Sequence, residues 1–174
     1  MIYLLEIKKM VGIVGEMKFR KNRILKNWEH ARSLEITNED FIYNTSGIQG
    51  RSYAKQDTTK FFKEAFKEFD LFPDQVEDRL GVMLLKHDQD GAYTQIHRDP
   101  APIGYIHARA NVMLKKPPQG GDAIINGQTF ELEENDLWLI FPNMEDHGST
   151  PISGGERLIY SFGALINVQK MSQV

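Results

Sequence analysis

His97 and Asp99 stand two positions apart in "QIHRDP", residues 95–100, and His147 and Arg157 follow in "NMEDHGSTPISGGERLIYSFG". Side chains two apart on an extended strand point to the same face. Read as the end of a strand, the first stretch lets His97 and Asp99 converge on one ion while Arg98 points away. His147 lies fifty residues downstream, enough chain for several short strands to intervene. Two neutral imidazoles and one carboxylate suit Fe(II) and leave three coordination positions open. Two of these serve a chelating cosubstrate and the third dioxygen. A single carboxylate only partly neutralises the ion, so an anionic chelator can still bind. Zinc or manganese accept the same ligands, so the set alone does not select iron. Arg157, ten residues past His147, offers a planar two-point fork for a second carboxylate several ångströms from the metal. Arg157, Ile159 and Ser161 share one face of their strand, which makes Ser161 a further candidate contact for the chelator.

Such a site needs a framework of strands, and the composition permits one. The chain has 174 residues, which fits one domain with a real core. Its net charge of −3, from 21 basic and 24 acidic residues, gives no broad basic field for nucleic acid. There is no cysteine, which excludes disulfides, zinc–thiolate sites and a cysteine nucleophile. The opening "MIYLLEIKKMVGIVGEMKF" is broken by Glu6, Lys8 and Lys9. Its apolar run is too short for a membrane span and lacks the pattern of a signal peptide. The expectation is a soluble, cytoplasmic protein without membrane or nucleic-acid partners.

The first part of the chain, residues 1–78, reads as a mixed flank. "IYLLEI" and "VGIVGEMKF" are strand-like, and "NRILKNWEHARSL" carries a helical apolar stripe. "NTSGIQGRSYAKQD" reads as a polar loop. "TTKFFKEAFKEFD" is the clearest helix, with Phe61, Phe62, Ala65, Phe66 and Phe69 on one packing face and Asp57 or Thr58 as N-cap. From residue 79 to 168 the pattern is β. "GVMLLKHD", "AYTQIHRD", "ARANVMLK", "DAIIN", "QTFEL", "DLWLIF" and "RLIYSFGALI" are short strands separated by turn residues. "IINGQTF" is a tight hairpin, which makes Asn126 a turn residue and not a ligand. Strands at this spacing form a sandwich or barrel, with a jelly roll as the expected case.

The order His97-x-Asp99, His147, Arg157 on a run of short strands resembles the 2-oxoglutarate- and Fe(II)-dependent oxygenases over roughly residues 80–166. "HRD" and "ANVMLKKPPQGGDAIINGQTFELEENDLWLIFPNMEDHGSTPISGGERLIYSFGAL" are similar to their prolyl-hydroxylase-like branch. In that branch a Gly-Gly turn opens a strand, a Phe-Pro step precedes the distal histidine, and a basic residue follows it. The resemblance implies a mainly β fold with flanking helices, the double-stranded β-helix or jelly roll. It implies Fe(II) on His97, Asp99 and His147, with 2-oxoglutarate anchored by Arg157. O2 is the oxidant, and ascorbate is a further candidate cofactor. The implied reaction hydroxylates an unactivated C–H bond of an amino acid, peptide or other small substrate, with succinate and CO2 as co-products. Halogenating relatives lack the carboxylate that Asp99 provides. The branch often has lysine where Arg157 stands, and many relatives have serine where Ile159 stands.

Other candidates surround this set. Asn111 follows the His-x-Asp loop on a strand, where relatives often place a polar residue near the cosubstrate; the alternative is a bond to the local backbone. Arg109 shares its face and could hold a substrate carboxylate, against the alternative of a solvated side chain. Arg51 and Tyr53 stand in the polar loop, of the kind that closes over substrates. His30, His87 and His107 read as surface or locally hydrogen-bonded residues. Two rival classes are a non-catalytic jelly-roll binding module and a cupin-type metalloenzyme that uses no 2-oxoglutarate. Cupins usually present a His-x-His pair, which "HRD" does not match.

Overall fold

The structure is a computed structural model, and it describes residues 19–20, 42–44, 49–53, 59–71, 73, 75–76 and 81–171. Its strands are β1 (Phe19–Arg20), β2 (Ile42–Asn44), β3 (Gln49–Tyr53), β4 (Gln75–Val76), β5 (Val82–His87), β6 (Tyr105–Lys115), β7 (Ala123–Ile125), β8 (Gln128–Phe130), β9 (Leu137–Ile140), β10 (His147–Ser149) and β11 (Arg157–Asn167). Two helices, α1 (Thr59–Lys67) and α2 (Val168–Met171), complete the described elements. The larger sheet runs β1-β9-β6-β11-β5-β3-β2, with β4 also on β11, and the smaller runs β10-β7-β8. Every pairing is antiparallel. The fold is the mainly β jelly roll that the strand pattern predicts. Among the described residues no helix is long and apolar enough to cross a membrane.

The long strands β6 and β11 form the centre of the larger sheet, and both of their faces are covered. Alternation along them therefore sorts two different interiors. On one face Ile106, Ala108, Ala110, Val112 and Leu114 of β6 join Tyr160, Phe162, Ala164 and Ile166 of β11. Ala65 and Phe66 of α1, both fully buried, cap this layer. On the other face Met113, Trp138, Ile140 and Ile159 pack against Ala123 and Ile125 of the smaller sheet. The same face carries Arg109, Asn111, Arg157 and Ser161 into a pocket between the sheets. The face toward α1 is wholly apolar, whereas the face toward the smaller sheet carries apolar and polar side chains together.

Helix α1 ends where Asp70 adopts a left-handed conformation, φ 54°, and Leu71 N–H returns to the Phe66 carbonyl at 3.1 Å. The expected packing face holds for Ala65, Phe66 and the partly buried Phe69. The side chains of Phe61 and Phe62 and the expected caps Asp57 and Thr58 lie outside the described residues. So do the expected strands and helix of residues 2–34, apart from Phe19–Arg20, which pairs with Trp138 and Leu137. The Asn126-Gly127 hairpin forms as predicted, with φ 50° and 79°, the two positive values of a type I′ turn.

Parts of the chain differ from the sequence reading. The stretch read as a loop contains β3, paired with β2 and with the exposed side of β5. Gly and Ser lower strand propensity there, but the open edge of β5 supplies the backbone partners that override it. The stretch "AYTQIHRD" is not a regular strand. It runs beside residues 147–152, and Ala92, Thr94 and His97 carbonyls accept from Ile152, Ser149 and His147 N–H. The ladder is broken because Thr94 N–H donates to the Ser149 hydroxyl at 2.9 Å instead of a carbonyl.

Candidate metal centre

His147 was expected at the end of the "DLWLIFP" strand. It instead opens β10, after the turn 141–146. Glu145 sets that turn: its carboxylate accepts from Phe141 N–H at 2.8 Å, and its own N–H donates to the Phe141 carbonyl at 3.0 Å. His97 and His147 then exchange both backbone hydrogen bonds, each 3.0 Å, as an isolated antiparallel pair. This brings two chain segments fifty residues apart into register. Asp99 N–H donates to the Pro142 carbonyl at 2.9 Å and fixes the third residue.

One ligand atom each of His97, Asp99 and His147 lies within 4.8 Å of the others. The two imidazole centroids are 4.3 Å apart, and His97 Nε2 is 3.3 Å from Asp99 Oδ1. His97 Nδ1 faces the Gln95 carbonyl at 2.7 Å, and His147 Nδ1 faces the Glu145 carbonyl at 3.1 Å. A carbonyl can only accept, so each Nδ1 carries the proton and each Nε2 keeps its lone pair. This is the outer-shell arrangement that orients imidazoles toward a metal. Burial pushes the Asp99 carboxyl up, but in the acid range, where the imidazoles are protonated, a hydrogen bond from His97 Nε2–H and the charges of His147, Arg109 and His97 outweigh it and hold it at about 2. Burial lowers the His147 imidazole, and the Glu145 carbonyl offsets this only in part. Both groups are thus in the ionisation state that a cation requires near neutral pH. The donor set fits a divalent metal. Arg98 points away, as expected, to an exposed ion pair with Asp146 at 2.7 Å.

Gly148 follows His147 where the 94–97 segment crosses β10. A Cβ there would meet the Thr94 carbonyl oxygen at 2.7 Å and Ile96 Cδ1 at 2.8 Å. Gly148→Ala should push the His97 segment off β10, lower stability by about 1–3 kcal/mol and weaken metal binding with it. Denaturant melts with and without Zn(II) measure both; equal zinc stabilisation in parent and variant would show that the two segments tolerate separation.

The cavity beside the triad is about 80 Å³. Met83 and Leu85 of β5, Trp138 and Ile140 of β9 and Ile159 of β11 give it apolar walls. Arg157 enters from the start of β11 and is buried. Its Nε donates to the Gly121 carbonyl at 2.7 Å, and its Nη1 lies 3.4 Å from His87 Nδ1. Gly121, φ 74°, sits so close that a Cβ would be 3.1 Å from Arg157 Cδ. Gly121 therefore seats the arginine. Burial, with the Arg157 charge adding to it, lowers His87 to about 3. His87 is neutral, so Nδ1 accepts from the guanidinium and Nε2 donates to Thr94 Oγ1 at 3.3 Å. Burial lowers Arg157 to about 9, against the opposing charge of Asp122, so it remains a cation at neutral pH. No described carboxylate lies within 4 Å of it.

Asn111 and Ser161 face the same cavity: Ser161 Oγ donates to Asn111 Oδ1 at 2.6 Å, and Asn111 Nδ2 is 3.5 Å from the Arg109 carbonyl. Arg109 is buried rather than solvated, and its Nη1 donates to Ser161 Oγ at 3.0 Å. Register on β6 turns it inward beside Asn111. Arg51 and Tyr53 stand in β3 opposite Leu85 and Met83, and their side chains lie outside the described residues, as does His30. His87 and His107 are not surface residues: both are buried, and His87 bonds across the fold to Arg157. Period-two alternation would have found them, since His87 shares the face of Met83 and Leu85, and His107 that of Arg109 and Asn111.

No protein-family model matches the chain. No curated protein matches it in sequence. Solved structures do match its fold. A prolyl-4-hydroxylase from Pseudomonas putida is 14% identical with a TM-score of 0.65, over 90% of this chain and 96% of that one. The viral collagen prolyl hydroxylase of Paramecium Bursaria Chlorella virus-1, solved as a 2OG complex, is 14% identical with a TM-score of 0.58, over 87% of this chain and 97% of that one. At such identity the likeness is one of fold.

Proposed function

We propose that the protein is an Fe(II)- and 2-oxoglutarate-dependent oxygenase that hydroxylates a C–H bond of an amino acid, peptide or other small substrate. The observation that carries this reading is the convergence of His97, Asp99 and His147 in one pocket with a buried arginine that no described carboxylate pairs. His97 Nε2, His147 Nε2 and an Asp99 oxygen would hold the metal, and Arg157 the far carboxylate of the cosubstrate. Bound there, metal and cosubstrate supply the oxidising power, with 2-oxoglutarate and O2 giving succinate and CO2. The chain's own part is to bind, orient and exclude water. The Gln95 and Glu145 carbonyls keep both imidazoles in the ligating tautomer. Gly121 and neutral His87 pin the guanidinium while leaving donors for a ligand. An incoming carboxylate compensates a charge whose burial is otherwise costly. Trp138, Ile140 and Ile159 keep the walls dry. Ile159, in place of a second hydroxyl, leaves the grip on the dicarboxylate to Arg157.

Calorimetry of 2-oxoglutarate with Mn(II), a redox-silent substitute, tests this directly. Arg157→Ala should bind it about one to two decades more weakly, since a charged hydrogen bond contributes roughly 1.5–3 kcal/mol. Arg157→Lys keeps the charge without the fork and should fall between. Mn(II) affinity without 2-oxoglutarate should be the same in all three. Equal 2-oxoglutarate affinity in parent and Arg157→Ala would refute the anchor.

A further inference from the structure

His97, His147 and Ile125 lie opposite one another in a row across three chain segments. The next row is Arg98, Asp146 and Asn126, and all three are exposed. Side chains tie this row at both joints. Because His97 and His147 exchange both backbone bonds, Arg98 and Asp146 fall on the antiparallel position that has none and where side chains stand closest. There Arg98 Nε donates to Asp146 Oδ1 at 2.7 Å. At the other joint Asn126 N–H donates to the Asp146 carbonyl at 2.8 Å. A regular ladder would return the Asp146 N–H to the Asn126 carbonyl. It goes instead to Asn126 Oδ1 at 3.1 Å, so the asparagine side chain completes the rung.

Neither tie is explained by its own surroundings. Gly-Gly makes the same type I′ turn as Asn126-Gly127, so the turn does not require the asparagine oxygen. An ion pair between two exposed side chains contributes little to stability. What the ties share is their place. Arg98 stands between His97 and Asp99, and Asp146 stands directly before His147. The backbone pair that joins these segments at the histidines is an isolated bridge, with no ladder beside it to resist shear. A metal site tolerates only about 0.2 Å of error in each ligand distance. We propose that Arg98, Asp146 and Asn126 are positioning residues for the metal centre. They fix segment 97–99 against His147, and His147 against the β7–β8 hairpin, so that both imidazoles reach one ion. None of the three offers an atom to that ion. The purpose of the row rests on the proposed metal site; its grip on the two histidines does not.

The test compares the full-length parent with Asn126→Gly, which keeps the turn and removes one tie, with Asp146→Ala, which removes the other, and with the double variant. Amide hydrogen exchange is read first, without metal. The His97 and His147 amides should exchange about fivefold faster in Asn126→Gly, the factor that one hydrogen bond supplies. The double variant should be faster still, with the amides of β6 and β11 as in the parent. Co(II) titration is read second. Affinity in Asn126→Gly should fall by about the same fivefold factor. The visible bands of bound Co(II) should shift as well, because they report ligand geometry and not stability. Arg98→Lys keeps a donor for Asp146 and should stay closer to the parent than Arg98→Ala. Unchanged exchange at His97 and His147 in the double variant overturns the proposal. So does faster exchange with Co(II) affinity and bands equal to the parent's, which would leave the row a purely structural tie. If the parent binds no Co(II), the proposed metal site falls, and the exchange rates still decide whether the row holds the histidine pair.

Discussion

Anaerobic addition of Fe(II) and 2-oxoglutarate should give a weak visible charge-transfer band in the parent protein and none in His147→Ala. In the proposed site His147 would be a metal ligand, placed by the backbone pair with His97 and by the Glu145 turn. Loss of an outer-shell partner already costs about 10–100-fold in metal affinity, and loss of a ligand itself should cost more. His97→Ala and Asp99→Ala should behave alike, because all three offer atoms to one point. Far-ultraviolet circular dichroism should be unchanged, since none of the three side chains belongs to either apolar core cluster. A band of parental intensity in the His147 variant would remove the metal assignment.

Phe66→Ala should destabilise the protein by about 3–5 kcal/mol, the usual cost of emptying a buried phenylalanine site. Phe66 is fully buried in the layer that α1 shares with β6, β9 and β11. Urea melts followed by tryptophan fluorescence measure the loss, and Trp138 lies on the opposite face, among the pocket walls. Binding of Mn(II) should persist below the new midpoint. A melt unchanged from the parent, with turnover lost, would instead make α1 a substrate surface.

The parts legible in the sequence are those set by local rules. The hairpin at Asn126-Gly127 is written in two residues that tolerate positive φ. The α1 face is written in the spacing of Ala65, Phe66 and Phe69, and most strands of the β core in alternation. His97, Asp99, His147 and Arg157 were legible because their order and spacing are unusual together. What stayed hidden depends on partners far along the chain. β3 forms from a Gly- and Ser-containing stretch because β5 offers an edge. The segment before His97 loses regularity because a hydroxyl, Ser149 Oγ, takes a backbone donor. The burial of Arg109, His87 and His107 follows from register, which fixes which face of β5 and β6 meets the pocket.

The two-sided burial of β6 and β11 also constrains how this chain can change length. Deleting one residue within 107–113 would exchange the faces downstream of the cut, bringing alanines and valine to the pocket and polar residues against Phe66 and Phe162. Insertions and deletions are therefore confined to connections such as residues 100–104, which lie outside the strands and are largely exposed. Diversification of such a scaffold proceeds by substitution on the strands and by growth only at their ends.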